Sequence, residues 1–248
     1  MSTSLVLLSD QMALQRSVDI VANNVANSST AGFKREGIAF NTLLSNMNAR
    51  GGNQPIHFVV DKSTYRDASP GPLTSTGNPL DLAIQGSGYF QVQTPQGGTQ
   101  YTRDGAFHTD NQGQIVTSTG NPVLSDAGQP ITLPDEATNV SISGDGFITA
   151  QVGTGSTRAQ LGKIGVVSFP DEQQVTPAGN GLFTTSQAST PVTGNAIVQG
   201  AVEQSNVKPI SEMTDLIRIQ RAYEQATNMV SNENTRLSAA IDKLSQTS

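Results

Sequence analysis

The 248 residues include no cysteine, so neither a disulfide nor a thiolate-bound metal can contribute to the fold. Tryptophan is also missing and aromatic residues make up only 5%, which leaves little surface for the stacking that sugar-binding grooves rely on. Histidine occurs twice, as His57 and His108, and the one carboxylate near either at ligand spacing is Asp110. A metal centre is therefore not expected. Charged residues are scarce at 14%, the net charge is −6, and Lys34-Arg35 is the single adjacent basic pair. Neutralising phosphates takes several clustered cations, so nucleic acid is not an expected partner. No apolar run is long enough to span a bilayer. Asp10 interrupts the first apolar stretch and no Lys or Arg precedes Arg16, so a cleaved secretory signal is not expected either.

Catalytic signatures are missing too. There is no Gly-x-Ser-x-Gly elbow. The segment GTGSTRAQLGKI ends in Gly-Lys, but six residues separate Gly155 from Gly162 and Ile164 stands where a phosphate loop needs a hydroxyl. SGDGFIT and TDNQGQ alternate Asp and Gly without the acidic ladder and distal Glu of a calcium loop, and read as hairpin turns. GSGYF leads into a strand, not a helix. No catalytic, metal or cofactor-binding residue is nominated, and neither an enzyme nor a small-molecule substrate is expected.

What the chain does have is Ser, Thr, Asn, Gln, 24 Gly and 12 Pro, a composition of short strands and many turns. Two amphipathic stretches flank that material. From about Ser4 to Asn27, Leu7, Leu14, Val18, Val21 and Val25 form one helical stripe, widened at its start by Leu5, Leu8 and Met12. From about Ile210 to Leu244, Leu216, Tyr223, Val230, Leu237 and Leu244 recur every seventh residue, with Ile219, Ala226, Glu233 and Ala240 on the second seam. That repeat predicts a helix packed at a coiled-coil angle against another. Pro209, Ser211, Glu212 and Asp215 suit its start. The expected fold class is mixed α and β: a coiled-coil-like domain of N- and C-terminal helices (1–27 and 210–248), an extended linker (28–60) and a central all-β domain (61–209). Each helix has no evident partner except the other, so the ends are expected to order during assembly.

The first helix ends in NNVANSSTAGFKRE. We read this as an elbow, in which Asn23, Asn24, Asn27 and Thr30 satisfy backbone groups released where the helix stops. Gly32 would take a positive φ, and Phe33 and Phe40 would anchor the outgoing chain. A polar helix cap without partner contacts is the alternative.

These residues carry a resemblance. ANNVANSSTAGFKREGIAF is similar to the N-terminal signature of bacterial flagellar rod and hook proteins, with Asn23, Asn24, Ala26, Asn27, Thr30, Gly32, Phe33, Lys34 and Phe40 in matching positions. VEQSNVKPISEMTDLIRIQRAYE resembles the C-terminal signature, through Glu203, Ser205, Asn206, Val207, Met213, Ile217, Gln220, Arg221, Ala222 and Tyr223. GPLTSTGNPLDLAIQGSGYFQV and YTRDGAFHTDNQGQIVTSTGNPVL match in the middle. Residues 61–86 are most like the proximal-rod members of the flagellar basal-body rod family, with distal-rod and hook-type axial proteins as the alternatives. From a different class, a β-rich surface binding module also remains open. The resemblance implies a structural subunit of the tubular drive shaft that crosses the periplasm and transmits torque. It implies export by the flagellar type III apparatus without signal cleavage, with copies of itself and neighbouring rod proteins as partners. The assembly interface would be the two helical stripes.

Overall fold

A computed structural model describes residues 2–45, 56–153, 158–194 and 196–246. The chain forms two compact units, each built from segments distant in sequence: Met1–Ala26, Glu36–Asp67 and Lys208–Ser248 in one, Asn27–Arg35 and Ala68–Val207 in the other.

The first unit contains the two terminal helices, α1 (Ser2–Ala26) and α2 (Pro209–Gln246). No Gly or Pro interrupts α1, and α2 starts on Pro209, whose missing N–H costs nothing at a helix's first position. The helices run antiparallel. The Gln11 amide donates to the Tyr223 hydroxyl (3.2 Å) and the Thr227 hydroxyl (3.3 Å), while Asn24 donates to the Glu212 carboxylate (3.0 Å). Side-by-side packing is thus plain, whereas the coiled-coil angle remains an expectation.

The same unit holds a β-hairpin, β1 (Glu36–Ser45) and β2 (Ile56–Arg66), where the sequence suggests an extended linker over 28–60. Glu36 pairs with Arg66 and Ser45 with Ile56. A bulge between Ala39 and Phe40 breaks the alternation that would have marked β1 as a strand. Gly51, Gly52 and Pro55, which suggested the linker, lie outside the described residues. Tyr65 stands opposite Gly37, and its ring fills the space a Cβ there would need, coming within 2.6 Å of it.

Among the described residues the second unit is all β apart from one short 3-10 turn, Glu172–Gln174. Its largest sheet orders six antiparallel strands as Thr176–Gly179, Leu182–Thr184, Thr99–Thr102, Tyr89–Gln93, Val166–Ser168 and Thr190–Pro191. Ala137–Ile142, Phe147–Val152 and Arg158–Lys163 form a second sheet. Phe90, Val92 and Ile148 of these strands build the main core together with Leu82, Ile84, Phe107, Ile115 and Val123 from shorter runs. Phe90 and Phe107 meet edge to face at 5.1 Å.

Candidate assembly site

The helical stripes take the positions their periodicity implies only in part. Val21 is buried and Leu7, Leu14, Val18 and Val25 are half-buried. On α2, Leu216, Ile219, Tyr223 and Val230 are half-buried and Ala226 is buried. The side chains of Leu237 and Leu244, like that of Phe40, lie outside the described residues. Glu233, the odd residue on the second seam, is tied to Arg236 at 2.9 Å. A second apolar set faces water, and it includes Leu8 and Met12, which were expected to widen the α1 stripe but are exposed. Ile210 is 78% exposed, Met12 68% and Ile217 52%, and Leu8, Met213 and Met229 are exposed as well. Burying one such side chain is worth about 1.5–3 kcal/mol, so the unpartnered faces of the pair hold a substantial reserve for association.

Asn24 is 0% exposed. Its Oδ1 accepts the Glu36 N–H (2.9 Å) and its Nδ2 donates to the Glu36 carbonyl (2.8 Å), so the side chain pairs with β1 as a neighbouring strand would. The same Nδ2 reaches Glu212, itself buried in the first turn of α2. One amide therefore joins the end of α1, the start of β1 and the start of α2. Asn23 is exposed.

The turn that follows closes inside the β unit. Thr30 N–H donates to the Asn27 carbonyl (3.1 Å), and the Thr30 hydroxyl lies 3.2 Å from Asn27 Oδ1. Gly32 has φ 68°, and a Cβ there would fall 2.6 Å from the Arg103 carbonyl carbon, so both conformation and space require glycine. Its N–H donates to the Glu203 carbonyl at 2.8 Å. Phe33 is half-buried, and its carbonyl accepts the Asn206 N–H at 3.3 Å. The Asn206 side chain accepts the Arg35 N–H (2.7 Å) and donates to the Ser69 carbonyl (3.0 Å).

Beneath the turn is a feature that periodicity did not disclose. The Glu203 side chain is 1% exposed and takes the Lys34 ammonium at 2.6 Å, the Gly71 N–H at 2.9 Å and Arg103 at 3.2 Å. Lys34 also donates to the Ser69 carbonyl (2.8 Å), and Arg103 to the Gly86 carbonyl (2.6 Å) while lying over the Tyr89 ring. Burial pulls the Lys34 pKa below its ordinary 10.5, with the bond to Glu203 opposing it. The signal available in sequence was a carboxylate at the end of the apolar strand run AIVQGAVE, and the Lys34 of the basic pair inside AGFKREG. Of the two histidines, His108 is exposed on the strand Phe107–Thr109, and the His57 side chain lies outside the described residues.

Three family models match in chain order: the flagella basal body rod protein model at residues 5–34, the flagellar hook protein FlgE/F/G D1 domain at 83–150, and the flagellar basal body rod FlgEFG protein C-terminal model at 198–243. The chain is 42% identical to flagellar basal-body rod protein FlgF of Caulobacter vibrioides, over 96% of this chain and 95% of that one. The chain belongs to the flagellar basal-body rod protein family. It is also 36% identical to FlgF of Mesorhizobium japonicum (96% of both chains) and 37% identical to FlgG of Caulobacter vibrioides (93% and 95%). Rod proteins are structural subunits of the flagellar basal body, not enzymes, and assemble with other rod components. The N-terminal rod match contains Asn24, Gly32 and Lys34, and the C-terminal match contains Glu203 and Glu212. Among the described residues no helix is long and apolar enough to cross a membrane.

Two stability outcomes follow from the buried polar groups. Asn24→Ala should lower unfolding free energy by about 1–3 kcal/mol, because Glu36 and Glu212 lose their partner. Asn24→Asp should cost more at neutral pH, since it sets two carboxylates together, and the deficit should narrow as pH falls to about 4 and the raised Asp pKa lets it regain a donor. Denaturant titrations followed by tyrosine emission at several pH values would check both. For the ionic cluster, Glu203→Gln strands two buried cations and should cost about 3–5 kcal/mol. Lys34→Met should cost less, because Arg103 and the Gly71 N–H still hold the carboxylate. Between the lowered Lys34 pKa and 10.5 the unfolded chain binds more protons, so wild-type stability should gain from this group as pH rises through that window. Lys34→Met should lack that increment.

Proposed function

We propose that the chain is a proximal-rod subunit whose terminal helices pack with those of neighbouring subunits into the tube that transmits torque. The carrying observation is the row of large apolar side chains left in water on an otherwise well-tied helix pair, Ile210 and Met12 above all. A finished monomer gains nothing from them, whereas a subunit completed by its neighbours does. Assignment to the proximal rod is supported by the comparison within one organism, 42% identity to FlgF against 37% to FlgG of Caulobacter vibrioides. The second of these figures is what favours a distal-rod role as the runner-up. The stripe residues Leu7, Leu14, Val18, Val21, Val25, Leu216, Ile219, Tyr223 and Val230 belong to the assembly interface, and heptad spacing adds Leu237 and Leu244 to it. Asn23, Asn24, Asn27, Thr30, Gly32 and Phe33 form the elbow where the chain leaves that layer. Export proceeds through the flagellar type III apparatus without removal of a signal, and the working place is the rod as it crosses the periplasm.

Imaging and mass spectrometry of purified basal bodies test this reading. The chain should be present in the rod segment nearest the export gate, and cells lacking it should stop building there. Its absence from basal bodies, or intact rods without it, would refute the proposal. Gly32→Val and Phe33→Ala should still be exported but should enter rods poorly, read as secreted subunit against subunit retained in basal bodies.

A further inference from the structure

The back of α2 carries Ile210, Met213 and Ile217 at spacings of three and four, followed one turn later by Arg221. This places all four on one side, away from the Ile219 and Ala226 side that meets α1. The three apolar residues are exposed, and Arg221 forms no ion pair among the described residues. The same helical unit also has a groove of about 570 Å³ along the α1–α2 seam, walled by Leu7, Ala13, Leu14, Ala222 and Met229, with Asp10 in its lining. Asp10 likewise has no cation among the described residues. Small side chains, Ala13, Ala222 and Ala226, leave the groove unfilled. Ridge and groove match in length: Ile210 to Arg221 and the groove's α2 wall, Arg218 to Met229, each span about 16 Å at 1.5 Å per residue.

We infer that the groove receives the Ile210–Met213–Ile217 ridge of a second copy of this chain, with Arg221 of the incoming copy pairing with Asp10. This rests on the rod reading and goes beyond it, in that it names the two faces and their orientation. Because the antiparallel pairing sets Asp10 near the Gln225–Met229 end of the groove, matching Arg221 to Asp10 makes the two α2 helices parallel. Such a contact is heterologous: each copy offers a ridge to one neighbour and a groove to another. It does not close on itself, and it adds subunits all pointing the same way, as an axial polymer requires.

The absence of native cysteine makes a direct test possible. In the full chain, Met213→Cys and Ala222→Cys lie on opposite sides of α2 and cannot bridge within one molecule. Mild oxidation of the concentrated double variant should give a ladder of covalent oligomers, and each single variant dimers at most. Arg221→Asp and Asp10→Arg should each reduce the ladder by about fivefold, the order expected for one rim ion pair, and the two together should restore it. A double variant with native helix content that forms no ladder overturns the pairing. So does one that stops at dimers, one whose ladder ignores both charge reversals, or one that needs a different rod protein to form it. Loss of the ladder from a chain that still enters basal bodies overturns this contact alone, whereas absence of the chain from basal bodies overturns the rod reading beneath it.

Discussion

A carboxylate sealed from water has to be surrounded by donors, and the β unit is organised around meeting that requirement at Glu203. Lys34 comes from the turn that enters the unit, Gly71 from the loop after it, and Arg103 from the end of a core strand. The Glu203 backbone carbonyl is also used, by the N–H of Gly32. Exchanging the whole cluster for well-packed apolar groups could leave stability unchanged, since desolvation offsets most of the attraction. What the cluster contributes is geometry. Only one placement of residues 32–35 against 203–206 puts both cations, the Gly71 N–H and the Asn206 side chain within bonding distance together. The first and last segments of the unit, 169 residues apart at the Lys34–Glu203 contact, are thereby fixed in one register.

The helical unit solves the same problem with a neutral amide, which also serves the buried Glu212 carboxylate. Asn24 gives a strand-like pair of hydrogen bonds to Glu36 and passes a third to Glu212, joining segments 188 residues apart. Leu or Val at this position would continue the apolar stripe but leave the first peptide group of β1 unsatisfied in a dry site. The polar run after α1 is thus a set of specific bonds, and its glycine is dictated both by the sign of φ and by the Arg103 backbone lying against it.

How much of this could be read from the chain depended on the kind of regularity involved. Both helices declared themselves through period, and Gly32 through its polar surroundings and the need to turn. The hairpin β1–β2 did not, because its bulge disrupts the two-residue alternation and Gly51-Gly52 suggested flexibility. Nor did the Glu203 cluster: buried ion pairs join residues with no sequence periodicity, and Lys34 looks like half of a basic pair until Arg35 is seen making a backbone bond to Asn206. The heptad reading drew attention to Leu216, Tyr223 and Val230, which lie toward α1, and passed over Ile210, Met213 and Ile217 because they sit off that seam.

That offset bears on why α2 is built as it is. A helix serving only an antiparallel partner needs one apolar stripe, and selection for a soluble monomer would put Lys and Glu on the rest. Here the side away from α1 begins with three large apolar residues before charge returns at Arg221 and Glu224, in a chain with only 14% charged residues overall. Small residues do the converse work on the α1 side: Ala13, Ala222 and Ala226 leave the seam unfilled. A protruding row and an unfilled slot on one rigid element are each unfavourable in isolation. Together they are the minimum a single polypeptide needs to add copies of itself in one direction without a symmetric stop, which is the physical requirement of a rod.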